Sequence, residues 1–146
     1  MKIKAISLWQ PWATLIAVGA KKYETRSWKT NYRGALLICA SRERNILMPA
    51  LQEIRQKADE LKIQNPITGA IFFPLGVAVA VVELTECIET ELFKRGHPEF
   101  LRESLLGDFS SGRYAWKLEN VRSLDPFPVK GKQGLFDVEV PDSLFK

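Results

Sequence analysis

The segment 77–84 constrains the fold of this chain more than any other, because it carries the strongest strand pattern in the sequence. Nearly every position holds a β-branched or small residue, which is typical of a strand covered on both faces. The longer apolar run, 69–82, contains Pro74 and Gly76 and is followed by Glu83. It is shorter than the roughly 20 residues that a membrane span needs. We therefore predict a buried central strand.

The remaining strand patterns are short, and turns join them instead of regular crossover helices. Helical spacing follows Pro11 and Pro49, and the segment 91–106 predicts one or two short helices interrupted at Gly96 and Pro98. Further strands are expected over 3–8, 21–28, 35–40, 113–118, 121–129 and 135–140. This order favours an α+β, mainly β fold. We expect a partly closed, mostly antiparallel barrel of six or seven strands with two or three flanking helices.

Metal-binding and nucleophilic residue types are scarce. Cys39, Cys87 and His97 are the only thiol and imidazole side chains, and their spacing matches no standard zinc site. His97 lies in a turn-like Gly-His-Pro tripeptide, which disfavours a histidine-based catalytic triad. We therefore predict neither a metal nor an organic cofactor.

Charge and length set broad limits on partners and location. Lys and Arg outnumber Asp and Glu by 21 to 17, an excess that permits phosphate contact without requiring it. The 146 residues suit one domain over 1–146, with a monomer as the default expectation. The start of the sequence lacks an apolar signal core, so we predict a cytoplasmic protein without a membrane segment.

Aromatic and charged residues concentrate between positions 9 and 34. Trp9, Trp12 and Trp28 lie there among a dense set of lysines and arginines. Aromatic faces stack on unpaired bases at about 1–3 kcal/mol each, and cations neutralise phosphates. The cluster therefore predicts a site for a nucleobase or for single-stranded RNA.

Within this cluster, Gly19, Lys21, Glu24 and Arg26 match in full the signature G-x-K-x-x-E-x-R of the ASCH domain family, which the chain resembles. The flanking segments also look like one branch of that family; they are 7–12, 26–28, 32–34, 112–116 and 130–136. The resemblance implies a small stand-alone ASCH domain with a PUA-like barrel, related to the PUA, YTH and EVE domains. Several of those bind RNA or a modified base. It also implies that the signature frames a cleft beside the first helix.

The signature residues have suitable chemistry for such a ligand. Glu24 can accept a hydrogen bond from a base amine, while Lys21 and Arg26 can hold a phosphate or keep Glu24 ionised. Lys21 and Glu24 reach one cleft only if Lys21 lies in a turn or a bulge intervenes. We expect the ligand-binding residues to be Trp9, Gln10, Trp12, Lys21, Glu24, Arg26, Trp28, Tyr32, Arg33, Ser41, Lys130 and Lys132.

Each of these side chains also has a purely structural interpretation. Glu24 and Arg26 could form a cross-strand ion pair that only stabilises the barrel. Trp12 has the helical spacing of a core residue, and Ser41 suits a helix cap. Lys130 and Lys132 could belong to a solvated turn.

Nucleic-acid binding is the preferred interpretation, and an amidohydrolase acting on acylated cytidine is the main alternative. The resemblance to such enzymes implies catalysis by Lys21 and Glu24 with a later glutamate, either Glu83 or Glu86. Their threonine is replaced here by Glu24, and we expect the neighbouring Thr25 to face away from the site. A ribonuclease and a transcription or translation adaptor are further alternatives. A hydrolase should have a deep pocket one base wide with Lys21 desolvated inside it. A binding module should have a basic groove past Arg26, Arg33 and Lys130, and an adaptor an exposed apolar patch.

Overall fold

The computed structural model describes residues 1–145, and its centre is a curled six-stranded sheet. The strands are β1 (Lys2–Leu8), β2 (Tyr23–Arg26), β3 (Gly34–Ala40), β4 (Val77–Glu89), β5 (Tyr114–Pro128) and β6 (Phe136–Glu139). Their order across the sheet is β2-β5-β4-β3-β1-β6. The β1–β3 pairing is parallel, and the other four pairings are antiparallel. The predicted mainly β, partly closed and mostly antiparallel barrel is confirmed, and the parallel β1–β3 pairing makes its sheet a mixed one.

Four α-helices flank the sheet, one more than the upper limit predicted. They are α1 (Trp12–Ala17), α2 (Leu47–Leu61), α3 (Thr90–Lys94) and α4 (Phe100–Glu103). Two 3₁₀ helices cover Ser104–Leu106 and Asp142–Phe145. The extra helix arises because the segment around Gly96, whose φ is 104°, breaks into α3 and α4. In residues 1–145, no helix combines the length and apolarity needed to cross a membrane.

The two strands predicted over 113–118 and 121–129 form a single long strand, β5. Three register shifts along its pairing with β4 let it bend without ending. Asn120, with φ of 51°, lies between the two predicted segments. The bends allow the first part of β5 to pair with both β2 and β4, which brings β2 into the sheet.

Helix α1 lies between two buried apolar layers. On one side Ala13 and Ile16 join a cluster with the central strands, to which Leu36 and Val82 contribute. On the other side Leu15 packs with Ile54 of α2 and with Leu105 and Leu106. This arrangement fixes α2 and the segment around Leu105 next to the start of β2, where the signature residues lie.

Candidate functional site

A cleft of about 1400 Å³ opens along one side of the sheet. Its lining comes from the end of β1, from α1, β2 and α2, from the segment 105–109 and from the loop 129–134. We call residues 105–109 the wall segment. Elements that are distant in sequence therefore meet around β2.

Two charged side chains of β2 lie on the surface of this cleft. Glu24 and Arg26 are two residues apart on one strand, so both project to the same face. Arg26 Nε lies 3.5 Å from Glu24 Oε2, and Arg26 Nη2 donates a 3.0 Å hydrogen bond to the carbonyl oxygen of Ser7. The two side chains form an ion pair within one strand, not the cross-strand pair considered from the sequence, and the carboxylate faces the cleft.

Lys21 lies beneath this pair and not on the cleft surface. Its side chain is 1% exposed, and Nζ is 3.8 Å from Glu24 Oε1. Nζ also donates to the carbonyl oxygen of Leu106 and lies 5.7 Å from the centre of the Trp12 ring. Because β2 begins at Tyr23, Lys21 precedes the strand and can reach Glu24, as the spacing required. We call Lys21, Glu24 and Arg26 the cleft floor.

The electrostatic state of Lys21 is set by burial and by two carboxylates. Burial lowers its pKa, and the negative charges of Glu24 and Glu103 oppose that shift. The buried ammonium group is thus stabilised by its neighbours and in turn compensates their charge.

Glu103 was not predicted from the sequence, yet it anchors the site. Its side chain is fully buried, and its carboxylate accepts hydrogen bonds from the backbone N–H groups of Lys22 at 3.1 Å and Tyr23 at 3.0 Å. Burial raises the pKa of Glu103, against the opposing effects of Lys21 and of the two N–H groups. The carboxylate therefore joins the end of α4 to the start of β2. Its immediate neighbours in the sequence are Arg102 and Ser104, so no local pattern marked it as buried.

Thr25 borders the cleft, but it lies between Glu24 and Arg26 on β2, so strand alternation places its side chain on the opposite face. Only 5% of it is exposed, and it lies beside Gly107 in the wall segment. A β-carbon at Gly107 would lie 3.1 Å from Lys21 Nζ and 3.5 Å from Thr25 Oγ1, so both groups border the same small space.

Aromatic side chains flank the floor. Trp9 is 54% exposed at the cleft, whereas Trp28 packs edge-on against Trp116 at 4.8 Å between ring centres. Trp12 is half-buried and contributes both to the lining and to the core. Among the three predicted tryptophans, Trp9 offers the freest face.

Six cations lie around the cleft, and they fall into two groups. Arg26, Lys57 and Arg113 each have a carboxylate within 4 Å. Arg42, Lys130 and Lys132 are exposed, and within residues 1–145 no carboxylate oxygen lies within 4 Å of them. We call these three residues the rim. Arg42 was not among the predicted residues, whereas both lysines were.

Four predicted residues lie elsewhere or are already engaged. Gln10 is fully buried; its amide donates to Thr14 and to the carbonyl of Pro74, and accepts from the Thr14 N–H. The Tyr32 hydroxyl donates to the carbonyl of Ala35, and Arg33 donates to neighbouring carbonyls; neither lines the cleft. These three side chains stabilise local structure and do not reach a ligand in the cleft.

Glu83 is the fourth predicted residue that lies elsewhere, and the prediction that it acts with Lys21 at one site is wrong. It is exposed on β4, lies outside the cleft and accepts a 3.0 Å hydrogen bond from Asn120. The carboxylate that acts on Lys21 from a later part of the chain is Glu103. Ser41 does line the cleft, and its hydroxyl also accepts a hydrogen bond from the N–H of Glu43.

The histidine and the cysteines lie apart from the cleft lining. His97 stacks on Phe93 at 4.1 Å between ring centres and contacts the Tyr23 hydroxyl at 3.3 Å. Cys39 and Cys87 are free thiols. Across the part of the chain that the structure describes, no three His, Cys, Asp or Glu side chains are grouped to hold a metal ion.

Comparison with known proteins adds a family and a fold. The model of the ASCH domain matches residues 6–128. Activating signal cointegrator 1 from Homo sapiens and that from Mus musculus are each 28% identical to this chain over 137 residues, or 92% of it. The match covers only 22% of each of those proteins.

Solved structures of ASCH from Zymomonas mobilis have the same fold. One aligns with a TM-score of 0.59 at 16% identity, covering 93% of this chain and 87% of its own. A point mutant of that protein aligns with a TM-score of 0.54 at 15% identity, covering 93% and 89%. At this identity the likeness concerns the fold alone. Since the domain model covers most of the chain, this protein belongs to the ASCH domain family.

Proposed function

We propose that this domain binds single-stranded RNA, with a base on the cleft floor and the backbone along the rim. The observation that carries the proposal is the chemistry of one cleft. An exposed tryptophan, Trp9, lies in the same cleft as an ion-paired carboxylate, Glu24, and as the three rim cations. Stacking, hydrogen bonding to base edges and phosphate neutralisation are the interactions that single-stranded recognition uses.

The floor suits the edge of a base. Glu24 lies between Lys21 and Arg26, at 3.8 and 3.5 Å, and these two cations fix the direction of its carboxylate. An ionised carboxylate accepts hydrogen bonds from an exocyclic amino group. The floor therefore favours a base that carries an amine.

The size of the cleft favours an extended ligand over a single nucleoside. Its volume of about 1400 Å³ is larger than the roughly 300–1000 Å³ typical of small-molecule sites. It also continues from Arg26 to Lys130, which fits a strand that runs past the floor. Arg33 lies outside this path.

Binding of fluorescently labelled, mixed-sequence single-stranded RNA tests the proposal. The same sequence as single-stranded DNA and as duplex RNA serves for comparison. We expect Glu24→Gln to weaken RNA binding by about 1–3 kcal/mol, the range for one well-formed base contact. Glu60→Gln, on the exposed face of α2, is the matched control and should bind as the wild type does. Equal binding by Glu24→Gln and Glu60→Gln, or preference for duplex RNA, would contradict the proposal.

Hydrolysis of an acylated nucleoside is a second candidate, favoured by one observation. Lys21 Nζ and Thr25 Oγ1 border the same space beside Gly107, and burial lowers the pKa of Lys21. A lysine with a lowered pKa can assist a hydroxyl or water nucleophile. Incubation with acetylated cytidine, followed by chromatography, tests this. Release of cytidine that is lost in Thr25→Val would make the domain an enzyme; unchanged nucleoside, or release unaffected by Thr25→Val, would remove the candidate.

A further inference from the structure

We propose that Arg42, Lys130 and Lys132 form a phosphate subsite whose shape depends on close contacts at Gly76 and Gly131. The ligand class is a phosphate or phosphodiester group. This inference rests on the proposed function for its natural ligand, a strand whose base occupies the floor. The subsite itself depends on the contacts that Gly76 and Gly131 make at the rim.

Gly76 holds the two halves of the rim together. Its N–H donates a 3.2 Å hydrogen bond to the carbonyl of Ser41, and its own carbonyl accepts a 3.1 Å bond from the N–H of Val129. Arg42 directly follows Ser41, and Lys130 directly follows Val129. Cations 88 positions apart in the sequence are thereby held on either side of one residue.

The Arg42 side chain lies directly against Gly76. A β-carbon at Gly76 would be 3.2 Å from Arg42 Cγ and 3.3 Å from Arg42 Nε. Gly76 also has φ of 69°, in the left-handed region that favours glycine. Both the space and the backbone conformation thus require glycine, and the guanidinium group is directed by the contact.

Gly131 serves the other half of the rim in a different way. Its φ is not in the left-handed region, so its conformation does not require glycine. A β-carbon there would lie 2.7 Å from Ser7 Oγ and 3.2 Å from Ser7 Cβ, so either Ser7 or the loop would have to shift. Gly131 therefore lets the loop lie flat on the end of β1 while Lys130 and Lys132 line the cleft.

Ser7 connects the subsite to the floor. Its side chain contacts Gly131, and its carbonyl oxygen accepts the hydrogen bond from Arg26. A phosphate at the rim and a base at the floor would thus be held by groups that share one strand end. Because no carboxylate lies within 4 Å of the rim cations in residues 1–145, their charge is available to a phosphate.

The test is the salt dependence of RNA binding in Gly131→Ala, a change that removes no charge. We expect the slope of log affinity against log salt to fall in magnitude by about 1.4, the loss of two single-strand phosphate contacts at roughly 0.7 each. Lys130→Ala with Lys132→Ala should give the same fall. Adding Ser7→Gly to Gly131→Ala removes the clash and should restore the wild-type slope, a non-additive result.

Controls separate this inference from the proposed function. Arg44→Ala, an exposed cation near Arg42 that does not line the cleft, should leave the slope unchanged. Thermal unfolding checks that each variant folds. If the wild type binds RNA but Gly131→Ala keeps the full slope while folded, the subsite is overturned and the proposed function stands. If the wild type binds pyrophosphate but not RNA, and Gly131→Ala loses that binding, the proposed function fails and the subsite stands. Binding of neither ligand overturns both.

Discussion

The floor and the rim of the cleft both carry several charges, but the floor charges are buried beside opposite charges, whereas the rim charges are exposed. On the floor, Lys21 is 1% and Glu24 13% exposed, and each charge has an opposite charge within 4 Å. On the rim, Arg42, Lys130 and Lys132 are exposed, without a carboxylate within 4 Å in the described chain. Buried charge that is compensated fixes positions, whereas exposed charge that is uncompensated attracts a ligand. We therefore infer that the floor orients the ligand and that the rim attracts it electrostatically.

The largest effect on stability is expected from replacing Glu103, the buried carboxylate that holds the start of β2. Glu103→Ala leaves Lys21 with less compensation and leaves the N–H groups of Lys22 and Tyr23 buried without their acceptor. Breaking a buried charged contact on one side costs about 3–5 kcal/mol. Denaturant unfolding measures the loss. Glu60→Ala is the control, and an equal, small effect of both variants would show that Glu103 is not an anchor.

A smaller effect, on binding alone, is expected at the exposed aromatic ring. Trp9→Ala should weaken single-stranded RNA binding by about 1–3 kcal/mol, the range for one stacked base. Its stability should change little, because Trp9 is 54% exposed. Phe72→Ala removes an aromatic ring that is 78% exposed and does not line the cleft, so it should bind RNA normally. If both variants bind equally well, Trp9 does not stack on a base.

The alkaline pH dependence of stability should distinguish the floor from its surroundings. Burial holds the pKa of Lys21 below its ordinary value of 10.5, so the unfolded chain binds a proton there that the folded chain releases first. The free energy of unfolding should therefore increase as the pH rises towards 10.5. The free energy of unfolding is measured against pH for the wild type and for Lys21→Met, and the difference between the two curves isolates this increase. Lys22→Met, at the exposed neighbour, should leave the gain intact; a flat difference for Lys21→Met would contradict the assignment.

The smallest effect on stability is expected at the rim. Replacing Arg42, Lys130 and Lys132 together by alanine should change the free energy of unfolding by no more than about 0.5 kcal/mol per site, as at ordinary surface positions. Denaturant unfolding checks this. A larger loss would mean that the rim cations support the fold, and the contrast with Glu103 would disappear.

The sequence predicted the elements and the floor well, because both depend on local patterns. β-branched and small residues at nearly every position marked β4, and strand alternation placed Glu24 and Arg26 on one face, where the structure has them. Lys21 was predicted to begin the strand over 21–28, with a turn or bulge as the condition for sharing a cleft with Glu24. The structure meets that condition because β2 begins only at Tyr23.

The rest could not be predicted because it depends on contacts between distant segments. Glu103 meets β2 only through the packing of Leu105 and Leu106 on α1 and α2. Arg42 joins the lysine loop only through backbone hydrogen bonds of Gly76. Glu83 was misplaced because a strand pattern does not reveal which side of a curled sheet carries the cleft.

The most direct test of the account is the salt dependence of single-stranded RNA affinity in the wild type and in the triple rim variant Arg42→Ala, Lys130→Ala and Lys132→Ala. We predict that the slope of log affinity against log salt is smaller in the variant by about 2, for three phosphate contacts at roughly 0.7 each. An equal slope in the two proteins would contradict it, since the affinity would then come from charges outside the rim.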